Sequence, residues 1–266
     1  MSERKFSCFG APVLDASVAE IREDGYKGYV RWPGGSQADS AETRDAVLDY
    51  ILTIDADEVL GEMTAREIDG MARFIPSLLC GEESAAIIFD HERRRYGKLK
   101  DEKISAALGQ ISLEEERHEL MLRGLSEYLP QPDDIDEIHA RAKDFFFRLG
   151  FRSPDPLQRL NLIGALDRCV CITLGDMIKR ASITRVPAFG RIVRRILEDE
   201  ARHVRVCRRI MAELGVSKKD MEDAAIIVRE MFVGMMGPVG DSFEHIGVDP
   251  DRLFRSIMRH EKIEIE

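Results

Sequence analysis

The chain has 266 residues, of which 44% are hydrophobic and 33% charged, and its formal net charge is −10. This composition is typical of one large globular domain, and the acidic balance disfavours nucleic acid as a partner. No apolar run approaches the roughly 20 residues that span a membrane, no signal-like apolar core follows the first residues, and an odd number of cysteines argues against a disulfide framework. We therefore expect a cytoplasmic protein that does not enter membranes.

The N-terminal part differs in pattern from the rest of the chain. Residues 1–39 lack helical periodicity and contain several glycines and prolines, which predicts an extended arm. Residues 40–266 predict a single helical domain, within which 75–212 carry the candidate metal-binding bundle. Ser40 is placed to cap a first helix over 41–54.

Later helices are marked by capping and turn residues. Thr64 begins a helix, because Glu67 follows it at capping-box spacing. The chain is expected to reverse near Gly97 and again over 181–187. A helix over about 135–147 predicts a long crossover between two helical hairpins. We expect further helices from Pro156 onward, from Ser217 onward and near 249–260, the last two covering the end of the bundle.

One set of three residues occurs twice in the sequence: an acid, a glutamate 33 positions later, and a histidine three positions after that. The six residues are Glu82, Glu115, His118, Asp167, Glu200 and His203. The second set follows the first at a constant offset of 85 positions. Residues three apart lie on one face of a helix, so each Glu-x-x-His unit directs a carboxylate and an imidazole to the same point. Two units and two further acids predict a dinuclear metal site.

The candidate ligands interrupt apolar stripes at helical spacing, where an unpaired carboxylate is costly. Glu82 is in line with Ile75, Leu78 and Phe89, whereas its neighbour Glu83 lies in a more polar series. We choose Glu82 as the ligand and keep Glu83 as the reserve. Four carboxylates and two imidazoles suit iron or manganese, with two iron ions as the first choice and a manganese–iron pair as an alternative.

This ligand set is that of ferritin-like di-iron and di-manganese bundles, in which two helices each supply one acid and two others each supply a Glu-x-x-His unit. The fold class we predict is therefore all-α: a ferritin-like four-helix bundle with a long crossover and extra N- and C-terminal helices.

Two pentapeptides share the order acid, Glu, any residue, Arg, His. They are Glu114-Glu115-Glu116-Arg117-His118 and Asp199-Glu200-Ala201-Arg202-His203. Over roughly residues 75–210 the chain resembles the di-iron oxygenases, which include acyl carrier protein desaturases, bacterial multicomponent monooxygenase hydroxylases and the ribonucleotide reductase small subunit. The resemblance implies that Asp199 supports a metal-bound histidine from behind, and that Arg117 and Arg202 could tie such outer carboxylates together.

Departures from these relatives narrow the expected activity. The reductase subunit has a radical tyrosine one turn beyond its first metal histidine, where this chain has Leu122, so a radical-generating subunit is not expected. No Cys-x-x-Cys pair is present, so electrons must come from an external donor such as a ferredoxin-like protein or a reductase.

We expect an oxygenase or oxidase that uses dioxygen as co-substrate and acts on a small organic or acyl substrate. Thr173, near the candidate ligands, could donate a hydrogen bond toward bound oxygen.

Other readings of the sequence stay open. One alternative is a ferroxidase or peroxide-scavenging ferritin-like protein, and another is a bundle whose metal only stabilises the fold. A hydrophobic pocket beside the metals would favour an organic substrate, and a polar channel would favour iron or peroxide. The oligomeric state is also open, with a homodimer as one candidate.

Overall fold

The computed structural model describes residues 59–61, 63–150 and 155–259. The arm predicted over 1–39 and the helix predicted over 41–54 lie outside the described residues. The described part of the chain is helical and contains no strand, which confirms the all-α class. Within it, no helix is both long enough and apolar enough to cross a membrane.

Two long helical hairpins form the centre of the structure, and a crossover helix connects them. The first hairpin is α1 with α2, the second is α4 with α5, and α3 lies between them in the chain. The helices are α1 Ala65–Lys98, α2 Glu102–Ser126, α3 Ile135–Gly150, α4 Pro156–Arg180, α5 Pro187–Glu213, α6 Lys218–Met236, α7 Gly240–His245 and α8 Pro250–Arg259.

The helix starts follow the signals in the sequence. The hydroxyl of Thr64 accepts a hydrogen bond from the backbone N–H of Glu67, and the Glu67 carboxylate accepts one from the backbone N–H of Thr64, which completes the predicted capping box. Asp155 caps α4, whose first residue is Pro156. Ser217 caps α6 in the same way.

The first hairpin turns slightly later than expected. Gly97 lies inside α1, and the left-handed position is taken by Lys100, with φ 60°. The N–H of Asp101 donates to the carbonyl of Tyr96 and that of Lys100 to the carbonyl of Gly97, the two bonds of a Schellman motif. Asp101 then caps α2 by accepting from the N–H of Ile104. The capping bonds and the immediate start of α2 thus place the reversal after Lys98.

The two helices of each hairpin pack closely. In the first, the hydroxyl of Ser112 on α2 donates to the carbonyl of Ala86 on α1 at 3.0 Å. In the second, a Cβ added to Gly164 on α4 would lie 2.7 Å from the Cβ of Cys207 on α5, so this approach requires glycine. The predicted turn over 181–187 contains a 3-10 helix, Ser182–Arg185, before α5 begins at Pro187.

The crossover and the C-terminal helices pack along the sides of the hairpins. Helix α3 packs mainly on α1, α6 packs on α4, and α8 packs on α4 and α6. Phe145 on α3 meets Phe232 on α6 edge to face, with ring centroids 6.2 Å apart. Leu253 and Ile257 of α8 are fully buried. The C-terminal part therefore covers a side of the second hairpin and not only its end.

Candidate metal centre

The structure brings the six residues of the repeated set together in the core. Two groups of possible ligand atoms are present, and within each group all the atoms lie within 4.8 Å of one another. The first group is Glu82, Glu115, His118 and Glu200, and the second is Asp167, Glu200 and His203. The exposed fractions of the six residues lie between 0% and 4%. Glu200 belongs to both groups, so the arrangement has the layout of two adjoining sites.

The imidazole of His118 is surrounded by three of these carboxylates on one side. Its Nδ1 lies 3.0 Å from Oε2 of Glu82, 3.5 Å from Oε2 of Glu115 and 3.7 Å from Oε1 of Glu200. These residues come from α1, α2 and α5, so both hairpins contribute to the first group.

The imidazole of His203 has a matching environment. Its Nδ1 lies 3.1 Å from Oε1 of Glu115 and 3.5 Å from Oε1 of Glu200. The ring centroids of His118 and His203 are 6.1 Å apart. Glu115 and Glu200 therefore lie between the two imidazoles, which is the position of carboxylates that bridge two metal ions.

Each histidine is held from behind by an acid of the other hairpin. Nε2 of His118 lies 3.2 Å from Oδ2 of Asp199, and Nε2 of His203 lies 2.9 Å from Oε2 of Glu114. Because an ionised carboxylate only accepts hydrogen bonds, each Nε2 carries the proton and donates it. The ring orientation is thereby fixed, and each Nδ1 faces the inner carboxylates, where that of His118 lies within hydrogen-bonding distance of Glu82. Nδ1 is therefore the nitrogen of each ring that would bind a metal ion.

Arginines connect the two supporting acids. Arg202 donates to both oxygens of Glu114, at 2.8 and 2.7 Å, and also to Asp199. Arg195 donates to Asp199 at 3.0 Å. The role expected for Arg202 is therefore present. Arg117 is buried, and its charge acts on Glu116.

The supporting acids and the inner acids differ in their tendency to ionise. Burial raises the pKa of Glu114, but hydrogen bonds from His203 and Arg202 outweigh this and lower it to about 2. Burial likewise opposes ionisation of Asp199, yet the hydrogen bond and charge of His118 hold its pKa below the ordinary value. The supporting acids are thus held as carboxylates.

Three of the four inner acids, Glu115, Asp167 and Glu200, behave in the opposite way. Burial also opposes ionisation of Glu82, but the charge of His118 outweighs it and lowers the pKa of that carboxyl. Burial and the charge of Glu200 raise the pKa of Glu115 to about 8. Burial and the same charge raise the pKa of Asp167 well above its ordinary value. Cations placed among these oxygens would favour the ionised form of Glu115 and Asp167.

Several buried polar atoms of the centre lack a hydrogen-bond partner. Among the described residues these include Oε1 of Glu115, Oδ2 of Asp167 and Nδ1 of His203. Nδ1 of His203 lies 3.1 Å from Oε1 of Glu115, but the two are not aligned for a hydrogen bond. Buried atoms of this kind normally have partners. Unpaired oxygen and nitrogen lone pairs that converge in this way fit a metal ion.

The structure distinguishes Glu82 from the reserve residue Glu83. Glu82 lies in the first ligand group, and Glu83 lies in neither group. Glu83 is also buried, but its charge acts on Glu119, the residue that follows His118. The apolar stripe in the sequence identified the residue that faces the cluster.

An apolar pocket opens onto the carboxylates. Its volume is about 550 Å³ including the mouth. Four of the six candidate ligands line it: Glu82, Glu115, Asp167 and Glu200. The other walls are mainly apolar and come from α1, α3, α4 and α6, with Phe74, Leu78, Ala85, Phe146, Leu166, Val170, Leu174, Phe232, Met235 and Met236. Ser77 and Thr173 are the remaining polar lining residues.

Thr173 lines this pocket as expected, but its hydroxyl is already engaged. Its Oγ1 donates to the carbonyl of Cys169 one turn earlier, at 2.9 Å. The predicted hydrogen bond toward bound oxygen would need the hydroxyl to rotate away from that carbonyl. Burial raises the pKa of the neighbouring Cys171 thiol above its ordinary value, so this thiol stays protonated.

Sequence reasoning missed Glu114, Arg195 and the contribution of α6 to the pocket. Glu114 could have been found, because it precedes Asp199 by the same 85 positions that relate the ligands. Arg195 precedes Asp199 by four residues, a spacing at which opposite charges pair on a helix. The pocket residues of α6 carry no such signal in the sequence.

Comparison of the chain with protein-family models, with curated proteins and with solved structures gave no match. The functional interpretation therefore depends on the residues of the chain itself. Four buried carboxylates and two imidazoles converge on two adjoining points in the core, and an apolar pocket opens on them.

Proposed function

We propose that this chain is a ferritin-like four-helix-bundle protein that binds two metal ions, iron first, and uses dioxygen to oxidise a small apolar organic substrate. The observation that carries the proposal is the buried set of six ligand residues with unpaired atoms facing an apolar pocket. Two hairpins that each supply an acid and a Glu-x-x-His unit support the ferritin-like assignment.

The residues divide naturally between two metal positions. Glu82 and His118 would hold one ion, and Asp167 and His203 the other. Glu115 and Glu200 would bridge the two, because each lies near both imidazoles. Oxygen-rich ligand sets with two imidazoles favour iron or manganese over zinc, which prefers thiolates or more histidine.

Two reduced iron ions held there would provide dioxygen with two electrons in one encounter. The chain's own residues orient the ligands and control the surroundings. Asp199 and Glu114 hold the imidazole rings and keep each proton on Nε2. The apolar side chains of the pocket wall, among them Leu166 and Met236, exclude bulk water from the carboxylates and admit an uncharged substrate.

The character of the pocket favours an organic substrate over iron or peroxide. Among the described residues, Ser77 and Thr173 are the polar lining residues besides the four ligand carboxylates. A route for hydrated iron would need polar groups along its length, because the ion binds water strongly. Electrons would come from an external donor, a ferredoxin-like protein or a reductase, since the sequence has no Cys-x-x-Cys pair.

The test begins with metal content. The protein would be produced with iron supplied, and iron and manganese would be measured per chain. It would then be reduced without oxygen, and the optical spectrum followed as dioxygen is admitted. We expect about two metal ions per chain and a spectral change that requires both metal and dioxygen.

Matched variants make this test specific. Glu115→Gln and His203→Ala are expected to lower the metal content and to abolish the response to dioxygen. Glu116→Gln, next to Glu115 on the same helix but outside both ligand groups, should keep both. Absence of metal, or metal that does not respond to dioxygen, would overturn the proposed activity.

A further inference from the structure

A second pocket lies on the far side of α4 from the apolar one, between α4, α5 and α6. Its volume is about 660 Å³ including the mouth, which is open to solvent. Gly164 and Cys207 are among its lining residues, and they pack against each other where α4 meets α5. Arg168, Arg208 and Lys218 also line it.

The cations of this pocket have little local compensation. Of the described residues in the lining, Glu222 is the one acid, so cations outnumber acids among them by three to one. Arg208 and Arg229 are close enough to Arg168 for their charges to repel it. The chain has a net charge of −10, so arginines without a paired carboxylate at one pocket are unexpected and call for an explanation.

The hydrogen bonds of these arginines leave donors available. Nε of Arg168 is buried and has no partner among the described residues. Arg229 donates to the backbone carbonyls of Ala225 and Met258, which neutralise no charge. Within the described part of the chain, neither Arg168 nor Arg208 forms an ion pair with a carboxylate. Guanidinium groups in this state are suited to bind an anion through paired N–H donors.

We propose that this pocket binds a small organic anion, an apolar body that carries a carboxylate or phosphate group. The charged group would lie against Arg168 and Arg208, with Lys218 beside it. The apolar body would lie against the apolar part of the wall, which includes Leu160, Ala165, Val204, Met211, Met221 and Ala225. Both parts of the ligand would contribute to binding, because the lining contains both cations and apolar side chains.

This pocket is separate from the candidate metal centre but adjoins it. None of the six candidate ligands lines it. Cys207, which does, follows His203 by one helical turn, and the charges of Asp167 and His203 act on its thiol. Anion binding here does not depend on the proposed oxygen chemistry.

Calorimetric titration of the full-length protein in phosphate-free buffer tests the proposal. The probes are phenyl phosphate and phenylacetate for the two anionic groups, phenol as a neutral analogue, and inorganic phosphate without an apolar body. At least one organic anion should bind, more tightly than phenol and inorganic phosphate, and binding should weaken as salt rises.

Variants locate the binding. Arg208→Ala should weaken the organic anion about tenfold or more, the effect of losing a charge-assisted hydrogen bond. Arg209→Ala removes the same charge from the next residue, which is exposed, pairs with Glu213 and does not line the pocket. It should change the affinity by less than about twofold, a surface-charge effect. Both arginines are exposed, so folding is retained.

Glu115→Gln separates this pocket from the metal centre, because anion binding should survive that change even where metal binding does not. Four results would overturn the proposal: no binding of either organic anion, equal binding of phenol, equal loss in the Arg208 and Arg209 variants, or loss of binding in Glu115→Gln.

Discussion

His118 and Asp199, 81 positions apart in the chain, meet across the two hairpins with Nε2 and Oδ2 at 3.2 Å. Glu114 and His203 form the reverse pair at 2.9 Å. Each hairpin therefore holds the histidine of the other, and Arg202 links the two supporting acids. We call these two contacts between the hairpins the crossed support. The positions of the ligand atoms in the candidate centre depend on it as much as on the ligand residues themselves.

Removal of one supporting acid should weaken metal binding without removing a ligand. Asp199→Ala leaves Nε2 of His118 without its acceptor, so the ring can turn and binds metal less well. We expect metal affinity to fall by about 10-fold to 100-fold, measured by competition with a coloured chelator. Glu198→Ala, at the neighbouring exposed position, is the control and should match the unmodified protein. Unchanged affinity in Asp199→Ala would contradict the role of this pair.

Loss of Arg202 should destabilise the fold even without metal. Glu114 would lose its guanidinium partner, although His203 and Gln110 would still donate to it, and Asp199 would keep His118 and Arg195. A buried carboxylate that loses its cation is costly, so Arg202→Ala should lower the free energy of unfolding by about 3 kcal/mol. Urea unfolding followed by circular dichroism measures the change. Arg209→Ala on the same helix should lower it by less than about 0.5 kcal/mol, and equal effects of the two changes would refute the prediction.

Glu92 should contribute stability that depends on pH. Its side chain is fully buried, and it accepts hydrogen bonds from Arg95 at 2.6 Å and from Arg159 at 2.8 Å. Burial raises the pKa of Glu92, but Arg159 and Arg95 outweigh this and lower it below the ordinary value. Ionised Glu92 therefore stabilises the folded state above about pH 4.3, the pKa of an unperturbed glutamate, and this stabilisation is lost as pH falls through the lowered pKa.

The variant Glu92→Gln tests this pH dependence. At pH 7 it should lower the free energy of unfolding by about 1 to 3 kcal/mol, and its difference from the unmodified protein should shrink as pH falls below 4. Urea unfolding at several pH values gives the comparison. Glu102→Gln, at an exposed position of α2, should show no such trend. A constant deficit for Glu92→Gln across this range would mean that the carboxylate charge is not the cause.

Two helical glycines should respond to alanine in opposite directions. A Cβ at Gly190 would lie 2.6 Å from the backbone carbonyl oxygen of Thr184 in the turn before α5, so one of the two segments must shift. Gly190→Ala should therefore lower the free energy of unfolding by about 1 to 3 kcal/mol. Gly234 on α6 has nothing within 4 Å of such a Cβ, so Gly234→Ala should raise it by about 0.5 to 1 kcal/mol. Thermal and urea unfolding measure both, and stabilisation by Gly190→Ala would contradict the close approach.

The hairpins and the inner ligand residues were accessible from the sequence because they depend on local rules. Helical spacing placed Glu82 in the apolar stripe and favoured it over Glu83, and a repeated spacing paired the two units. The turn after α1 differed because hydrogen bonds donated by the backbone N–H groups of Lys100 and Asp101, and not a left-handed glycine, set its position. The pocket wall from α6 could not be predicted, because docking of Phe232 and Met235 beside the carboxylates depends on tertiary packing between distant segments.

Because of the crossed support, neither hairpin alone supplies the acceptor that its own histidine needs. An isolated α1 and α2 pair would leave His118 without its acceptor, and an isolated α4 and α5 pair would leave His203 without its own. In two copies of one such hairpin that face each other, the acid of each copy would accept the hydrogen bond from the histidine of the other. Joining the halves in one chain fixes their ratio at one to one and lets each half change independently. The equivalent positions 82 and 167 already differ in this way, with glutamate in one half and aspartate in the other.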